Sequence, residues 1–141
     1  VTDPTAPRRI VRIPVYRRFS DLDPLGHVNN VVFLDYLQEA RVGLVNDLRL
    51  VQADDFAQVV VKQDITHRKP LLLAPEPIVI ETWVTHIGNS SYTLGYRILD
   101  EHGDVAAEAN TTLAVVDKAT GRPVRMSAEL RAVLEPLTIE Q

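Results

Sequence analysis

The sequence predicts an α+β fold, five antiparallel strands with one long helix laid on the sheet, and three observations predict it. A proline-free stretch from Val31 to about Leu48 repeats apolar residues at helical spacing. Five other segments read as strands, the first two by alternation of apolar and polar residues with a period of two and the last three by strand-forming residues between turns. Their order, one strand, the helix and then four strands, is that of segregated elements rather than of repeated strand–helix–strand units.

Each element has its own justification. The opening segment, Val1 to Pro7, is polar and broken by Pro4 and Pro7, so residues 1–8 are expected to be a flexible leader and residues 9–141 a single domain. From Ile10 to Phe19, Val11, Ile13, Val15 and Phe19 fall on one side of an alternation that Arg17 interrupts. Pro14 has no N–H to give to a ladder, which places this strand at a sheet edge. In the helix, Phe33, Tyr36, Leu37, Ala40 and Leu44 form one stripe, and Val32, Leu34, Val42 and Val45 spread apolar surface around much of the circumference, as in a buried helix. After Asp54-Asp55 the period changes to two, with Val59, Val61, Ile65 and His67 on one side. Pro70, Pro75 and Pro77 then force a connection, and Ile78 to Ile87, Tyr92 to Leu99 and Val105 to Val116 read as three further strands joined by Gly88-Asn89 and His102-Gly103. Ser127 to Leu134 is a short closing helix with Ser127 as its cap and Glu129 in its first turn. One helix does not cover five strands, so a second copy of the chain is the minimum partner expected.

Bulk properties remove several classes of function. The length of 141 residues suits one domain. A formal net charge of −4 with no basic run speaks against a nucleic-acid binder. The absence of cysteine excludes disulfides, thiolate nucleophiles and cysteine-based zinc sites. The N-terminal residues lack a signal-peptide pattern and no apolar run approaches the ~20 residues of a membrane span. The chain is therefore expected in the cytoplasm, with neither nucleic acid nor membrane as partner. His67, His86 and His102 show no metal-ligand spacing, so no metal and no cofactor are expected.

Chemistry concentrates between the first strand and the helix, in Asp21-Leu22-Asp23-Pro24-Leu25-Gly26-His27-Val28-Asn29-Asn30. Asn29 or Asn30 suits the helix N-cap. A helix start carries unpaired N–H groups and partial positive charge, which polarise a carbonyl and stabilise the oxyanion of acyl transfer. Gly26 allows close approach of the backbone to a ligand. A carboxylate nearby attacks the carbonyl or activates water, and a thioester is a suitable electrophile because its thiolate leaves readily. Asp23 is placed for that role. Turns and helix caps also use Asp, Asn, Gly and His, so local spacing alone leaves both readings open.

The run Arg18-Phe19-Ser20-Asp21-Leu22-Asp23-Pro24-Leu25-Gly26-His27-Val28-Asn29-Asn30, followed by Phe33, Tyr36, Glu39, Ala40 and Arg41, resembles the 4-hydroxybenzoyl-CoA thioesterase-like hotdog proteins, and the resemblance extends from about Tyr16 to Val116. It implies a five-stranded antiparallel sheet wrapped around one long central helix, homodimers that often pair into tetramers, and active sites at the subunit interface. It implies Asp23 as nucleophile or general base and the backbone N–H of Asn30 as the oxyanion hole. His27 is a further catalytic candidate, and Gly26, Val28 and Asn29 are substrate-binding candidates. Benzoyl-specific members carry an aromatic residue near the helix start where this chain has Asn29 or Asn30, so the His-Val-Asn-Asn version is more similar to general acyl-CoA or acyl-carrier-protein thioesterases.

Other candidates are weaker. Ser91 belongs to a turn that the resemblance brings to the ligand from the neighbouring subunit. Arg68 and Lys69 are candidates for the phosphates of CoA by charge-assisted hydrogen bonds, in competition with Arg122 and Arg125. Glu39 and Arg41 are expected to form buried pairs with a strand or the partner. The expected function is hydrolysis of an acyl thioester. The alternatives are a non-catalytic acyl-CoA-binding protein and an enoyl-thioester hydratase, whose acid and histidine the segment Asp21 to His27 imitates imperfectly.

Overall fold

A computed structural model describes residues 10–48 and 56–139, with side chains described for 10–44 and 57–139. The expected leader, residues 1–8, lies outside the described residues. In chain order the elements are β1 (Val11–Val15), a short 3-10 turn (Phe19–Asp21), α1 (Asn30–Leu48), β2 (Phe56–His67), β3 (Ile78–Ile87), β4 (Ser91–Leu99), β5 (Val105–Asp117), α2 (Ala128–Leu134) and a second 3-10 turn (Glu135–Leu137). The five strands form one sheet in the order β1-β3-β4-β5-β2, and every neighbouring pair is antiparallel.

The edge position inferred from Pro14 holds, because β1 pairs only with β3. The strand is shorter than its alternation suggested. It ends at Val15, and Phe19, expected to share the buried side, is 82% exposed. The reason lies in Arg17, whose side chain turns inward and is buried. Its guanidinium donates to the carbonyls of Leu72 and Glu76, each at 2.7 Å, and pairs with Glu101 at 2.8 Å. Those acceptors lie outside any ladder, so the chain leaves the sheet to reach them.

In β2 the first half of the alternation is out of phase, whereas Ile65 and His67 share a side as expected. A bulge between Val60 and Lys62 shifts the register against β5, so Gln58 and Val60 share the inner face with Gln63, Ile65 and His67, opposite the buried Thr111, Ala109 and Ala107. Val59, Val60 and Val61 are all exposed at this second edge. Strands β3, β4 and β5 fall within a residue of the expected bounds, because each is a run of strand-forming residues and turn residues separate them.

The inner face supplies Ile78, Ile80, Val84, Leu94, Tyr96 and Ile98 to one core, which α1 joins through Phe33, Tyr36, Leu37, Ala40 and Leu44. The helix is not buried all round. Val31 is 68% exposed and Val42 is also exposed, while Val32 and Leu34 are partly buried against the core. Gly43 permits close approach to β1, since a Cβ there would lie 3.1 Å from the Ile13 side chain. Arg41 reaches across to the sheet, with Nη1 3.3 Å from Gln63 Oε1 and 3.4 Å from Thr111 Oγ1. Glu39 is exposed on the single chain and pairs with no strand among the described residues. Ser127 caps α2 as expected, its hydroxyl accepting from the Leu130 N–H at 3.1 Å. Among the described residues no helix is long and apolar enough to cross a membrane.

Candidate active site

The segment between β1 and α1 is ordered by its two aspartates in different ways. Asp21 is buried. Its Oδ2 accepts from the Tyr36 hydroxyl at 2.7 Å and from the Arg18 N–H at 3.0 Å, and its Oδ1 accepts from the Arg18 guanidinium at 2.9 Å. Burial alone would raise this carboxyl, but the hydrogen bonds from Tyr36 and Arg18 outweigh it and hold Asp21 below the usual aspartate range. The partner Tyr36 is pushed well above the usual phenol value, first by burial and then by Asp21. Asp21 therefore pins the entry loop to the first turns of α1.

Asp23 sits in a turn closed by the bridge between Leu22 and Val28. Its N–H donates to the His27 carbonyl at 2.8 Å, and its carbonyl accepts from Gly26 at 3.0 Å. The turn requires a left-handed residue, which Gly26 supplies at φ 81°. The side-chain Oδ1 of Asp23 accepts from the N–H groups of Leu25 at 2.9 Å and His27 at 3.2 Å. Its second oxygen has no hydrogen-bond partner among the described residues. One oxygen fixes the carboxylate and the other is available.

The helix start follows directly. Asn29 is the capping residue, its Oδ1 accepting from the Val31 N–H at 2.9 Å while its carbonyl accepts from Val32 at 2.9 Å. The Asn30 N–H is left without an acceptor among the described residues. The Val28 N–H donates to the Leu71 carbonyl at 2.8 Å, and His27 bridges Leu72, so the turn is docked on the connection after β2.

A cavity of about 380 Å³ opens here. Asp23, Leu25, His27, Val28 and Asn30 form one wall. Phe33 and the end of β2, His67 to Pro70, form the other. Of the expected site residues, Asp23, His27, Val28, Asn30, Arg68 and Lys69 thus meet in one place, whereas Gly26 and Asn29 shape the backbone behind it.

Ser91 is not there. It lies opposite Ala114 on β5, while His67 lies opposite Ala107, a separation of roughly 23 Å at the ~3.3 Å rise of a strand. Arg68 and Lys69 do line the cavity but are already paired. Arg68 binds Glu108 at 2.8 Å, and Lys69 binds Asp100 at 2.6 Å and Asp104 at 3.3 Å. Arg122 and Arg125 do not line it.

The sequence reading passed over Phe33 and His67 as cavity residues. Their rings meet edge to face, with centroids 4.7 Å apart at 76°. The usable signal was the shared phase of His67 and Ile65 at the end of β2, which alternation predicts but which does not distinguish a cavity-lining position from any other. A larger cavity, about 440 Å³, lies on the outer face of the sheet by Trp83 and Arg97 and contains none of the motif residues. Among the described residues no group of three or more His, Asp or Glu is arranged to hold a metal.

The chain has clear counterparts among known proteins. Residues 17–134 match the model of the thioesterase-like superfamily. The long-chain acyl-CoA thioesterase FadM of Escherichia coli K12 is 33% identical over 120 residues, which cover 82% of this chain and 90% of that protein. The crystal structure of PA5185 from Pseudomonas aeruginosa PAO1 superposes with a TM-score of 0.82 at 25% identity, covering 91% of each chain. A thioesterase from Thermus thermophilus, crystallised with coenzyme A and zinc, gives a TM-score of 0.76 at 30% identity, covering 89% of this chain and 92% of that one.

Proposed function

The chain belongs to the thioesterase-like superfamily, and from that membership we propose that it is an acyl-CoA thioesterase that hydrolyses its substrate to a free acid and CoA. The observation that carries the reading is the pairing, in one cavity, of the available carboxylate oxygen of Asp23 with the unclaimed N–H of Asn30 at the start of α1. The N–H and the partial charge of the helix end polarise the thioester carbonyl, and Asp23 attacks it or activates a water that does. His27 flanks the same carbonyl. The similarity to FadM and to a thioesterase crystallised with coenzyme A supports the substrate class.

Arg68 is the better of the two phosphate candidates. Its pair with Glu108 is exposed on both sides, 56% and 47%; such pairs are worth ~0–1 kcal/mol, so a phosphate displaces Glu108 at small cost. Lys69 is held by the buried Asp100. In this reading residues 9–141 form a single domain whose sheet wraps around α1 in the hotdog manner.

A homodimer completes the site. Strand β2 is a sheet edge with three exposed valines, and unpaired edges of this kind seek a partner strand. The Ser91 turn lies beside the first half of β2, since Val59 and Ser91 both oppose Ala114. Antiparallel pairing of β2 with its own copy therefore carries that turn of the second copy towards the cavity at the His67 end. Sedimentation velocity at micromolar concentration is expected to show a dimer or a higher even-numbered assembly, and Val61→Lys is expected to shift it towards monomer with loss of turnover. A monomeric wild-type chain would remove the interface from the proposal.

The activity is tested by thiol release from a panel of acyl-CoA substrates of different chain length, with crotonyl-CoA included. Turnover of at least one member is expected. Binding of acyl-CoA without thiol release would replace hydrolysis by a binding role, and loss of the crotonyl double bond without thiol release would make the protein a hydratase.

A further inference from the structure

Three features of β2's end converge on one side chain. His67 is in phase with Ile65 and Gln63 at the end of β2, where the sheet edge opens and its side chain is exposed. The chain immediately after it is fixed by its backbone and by Lys69: the N–H groups of Arg68 and Lys69 both donate to the Ala106 carbonyl, at 2.8 and 3.2 Å, and the Lys69 side chain is paired with the buried Asp100. The imidazole itself is set edge to face against Phe33. Phe33 is three residues beyond Asn30 in α1, so the two project from the same face of the first turn. His67 is thereby held beside the helix start.

Neither ring nitrogen of His67 has a hydrogen-bond partner among the described residues. The exposed imidazole lines the cavity that also holds Asp23 and Asn30, so its nitrogens are accessible to a bound water. His27 shares the cavity but has no aromatic contact that fixes its ring.

We infer that His67 is a third polar group of the reaction site, orienting the water that attacks the thioester; the inference rests on the thioesterase reading above. The attacking water has two O–H bonds. One proton passes to the free oxygen of Asp23 as the water oxygen bonds to the carbonyl carbon, and the negative charge moves to the carbonyl oxygen at the Asn30 N–H. The other O–H stays hydrogen-bonded to a ring nitrogen of His67, which fixes the water's lone pair on the carbonyl. When the carbon–sulfur bond breaks, the thiolate takes the proton from Asp23, leaving the carboxylic acid and the thiol.

The test compares His67→Phe, which keeps an aromatic ring against Phe33 and removes both nitrogens, with His67→Gln, which keeps a hydrogen-bonding group, on a substrate that the wild type turns over. Orientation of a reacting group by one side chain is typically worth ~10- to 100-fold in rate, so kcat of His67→Phe is expected to fall by that factor with KM within about threefold and the melting temperature unchanged. His67→Gln is expected to recover most of the loss, and added imidazole is expected to raise kcat of His67→Ala but not of the wild type. A wild-type kcat in His67→Phe, or equal losses in the Phe and Gln variants with no rescue by imidazole, overturns the inference alone. A wild type inactive on every thioester overturns the thioesterase reading and this inference with it.

Discussion

Asp23→Asn is expected to lower kcat by roughly 10²–10⁴-fold, the range for loss of a catalytic base, while the melting temperature stays within a degree or two of the wild type. The two readouts separate because the carboxylate has two jobs on two oxygens. Its Oδ1 holds the turn by accepting from Leu25 and His27, and the amide oxygen of asparagine does the same. Its other oxygen carries the charge that attacks the carbonyl or takes a proton from water, and an amide does neither. Asp23→Ala should behave differently, losing turnover and turn together, since the N–H groups of Leu25 and His27 then lose their acceptor. Thiol release under saturating substrate, set beside thermal melting, checks all three proteins. An Asp23→Asn enzyme with unchanged kcat would move the base to His27, the other titratable group on that wall of the cavity.

The separation of Asp21 from Asp23 shows what a sequence can and cannot disclose. Asp23 stood out because a family motif and a chemical argument agreed on it, and Asn30 because a helix start has unpaired donors wherever it falls. Strands β3 to β5 were legible because strand-forming residues and turn residues are local signals. The misreading of β1 has a physical cause outside the local pattern, a long-range contact that overrides it. Arg17 ends β1 early because its acceptors lie on residues 72, 76 and 101. Phe19 is carried outward by that departure. The bulge at Val61 turns Val59 off the expected inner side without altering the composition of β2, while Ile65 and His67 stay together on the side their alternation predicts.

Asp21→Ala is the prediction with the largest expected effect on stability, a loss of about 3 kcal/mol, at the upper end for a hydrogen-bonded buried charge. The Tyr36 hydroxyl would be left buried without its acceptor, and the Arg18 N–H without its own. For a chain of this size ~1 kcal/mol corresponds to roughly 2–4 °C, so a drop in melting temperature of roughly 6–12 °C is expected. Asp21→Asn should cost less, since an amide oxygen still accepts from Tyr36. The charge contributes a pH dependence whose sign follows from the direction of the shift. Because the folded protein holds Asp21 below its unfolded value, its stabilisation is fully present above the ordinary aspartate pKa of ~3.9 and disappears as pH falls through the folded value. Melting curves of the wild type and Asp21→Asn should thus lie apart at neutral pH and draw together in acid; curves that remain parallel down to pH 3 would show that the charge is not what stabilises the loop. Turnover should fall in both Asp21 variants at temperatures approaching their melting, because Asp21 also sets the backbone behind the site: its carbonyl accepts the Asn29 N–H at 2.9 Å and so fixes where α1 begins. Two aspartates separated by one residue are then distinguishable by opposite signatures, activity lost with stability kept at Asp23, and stability lost first at Asp21.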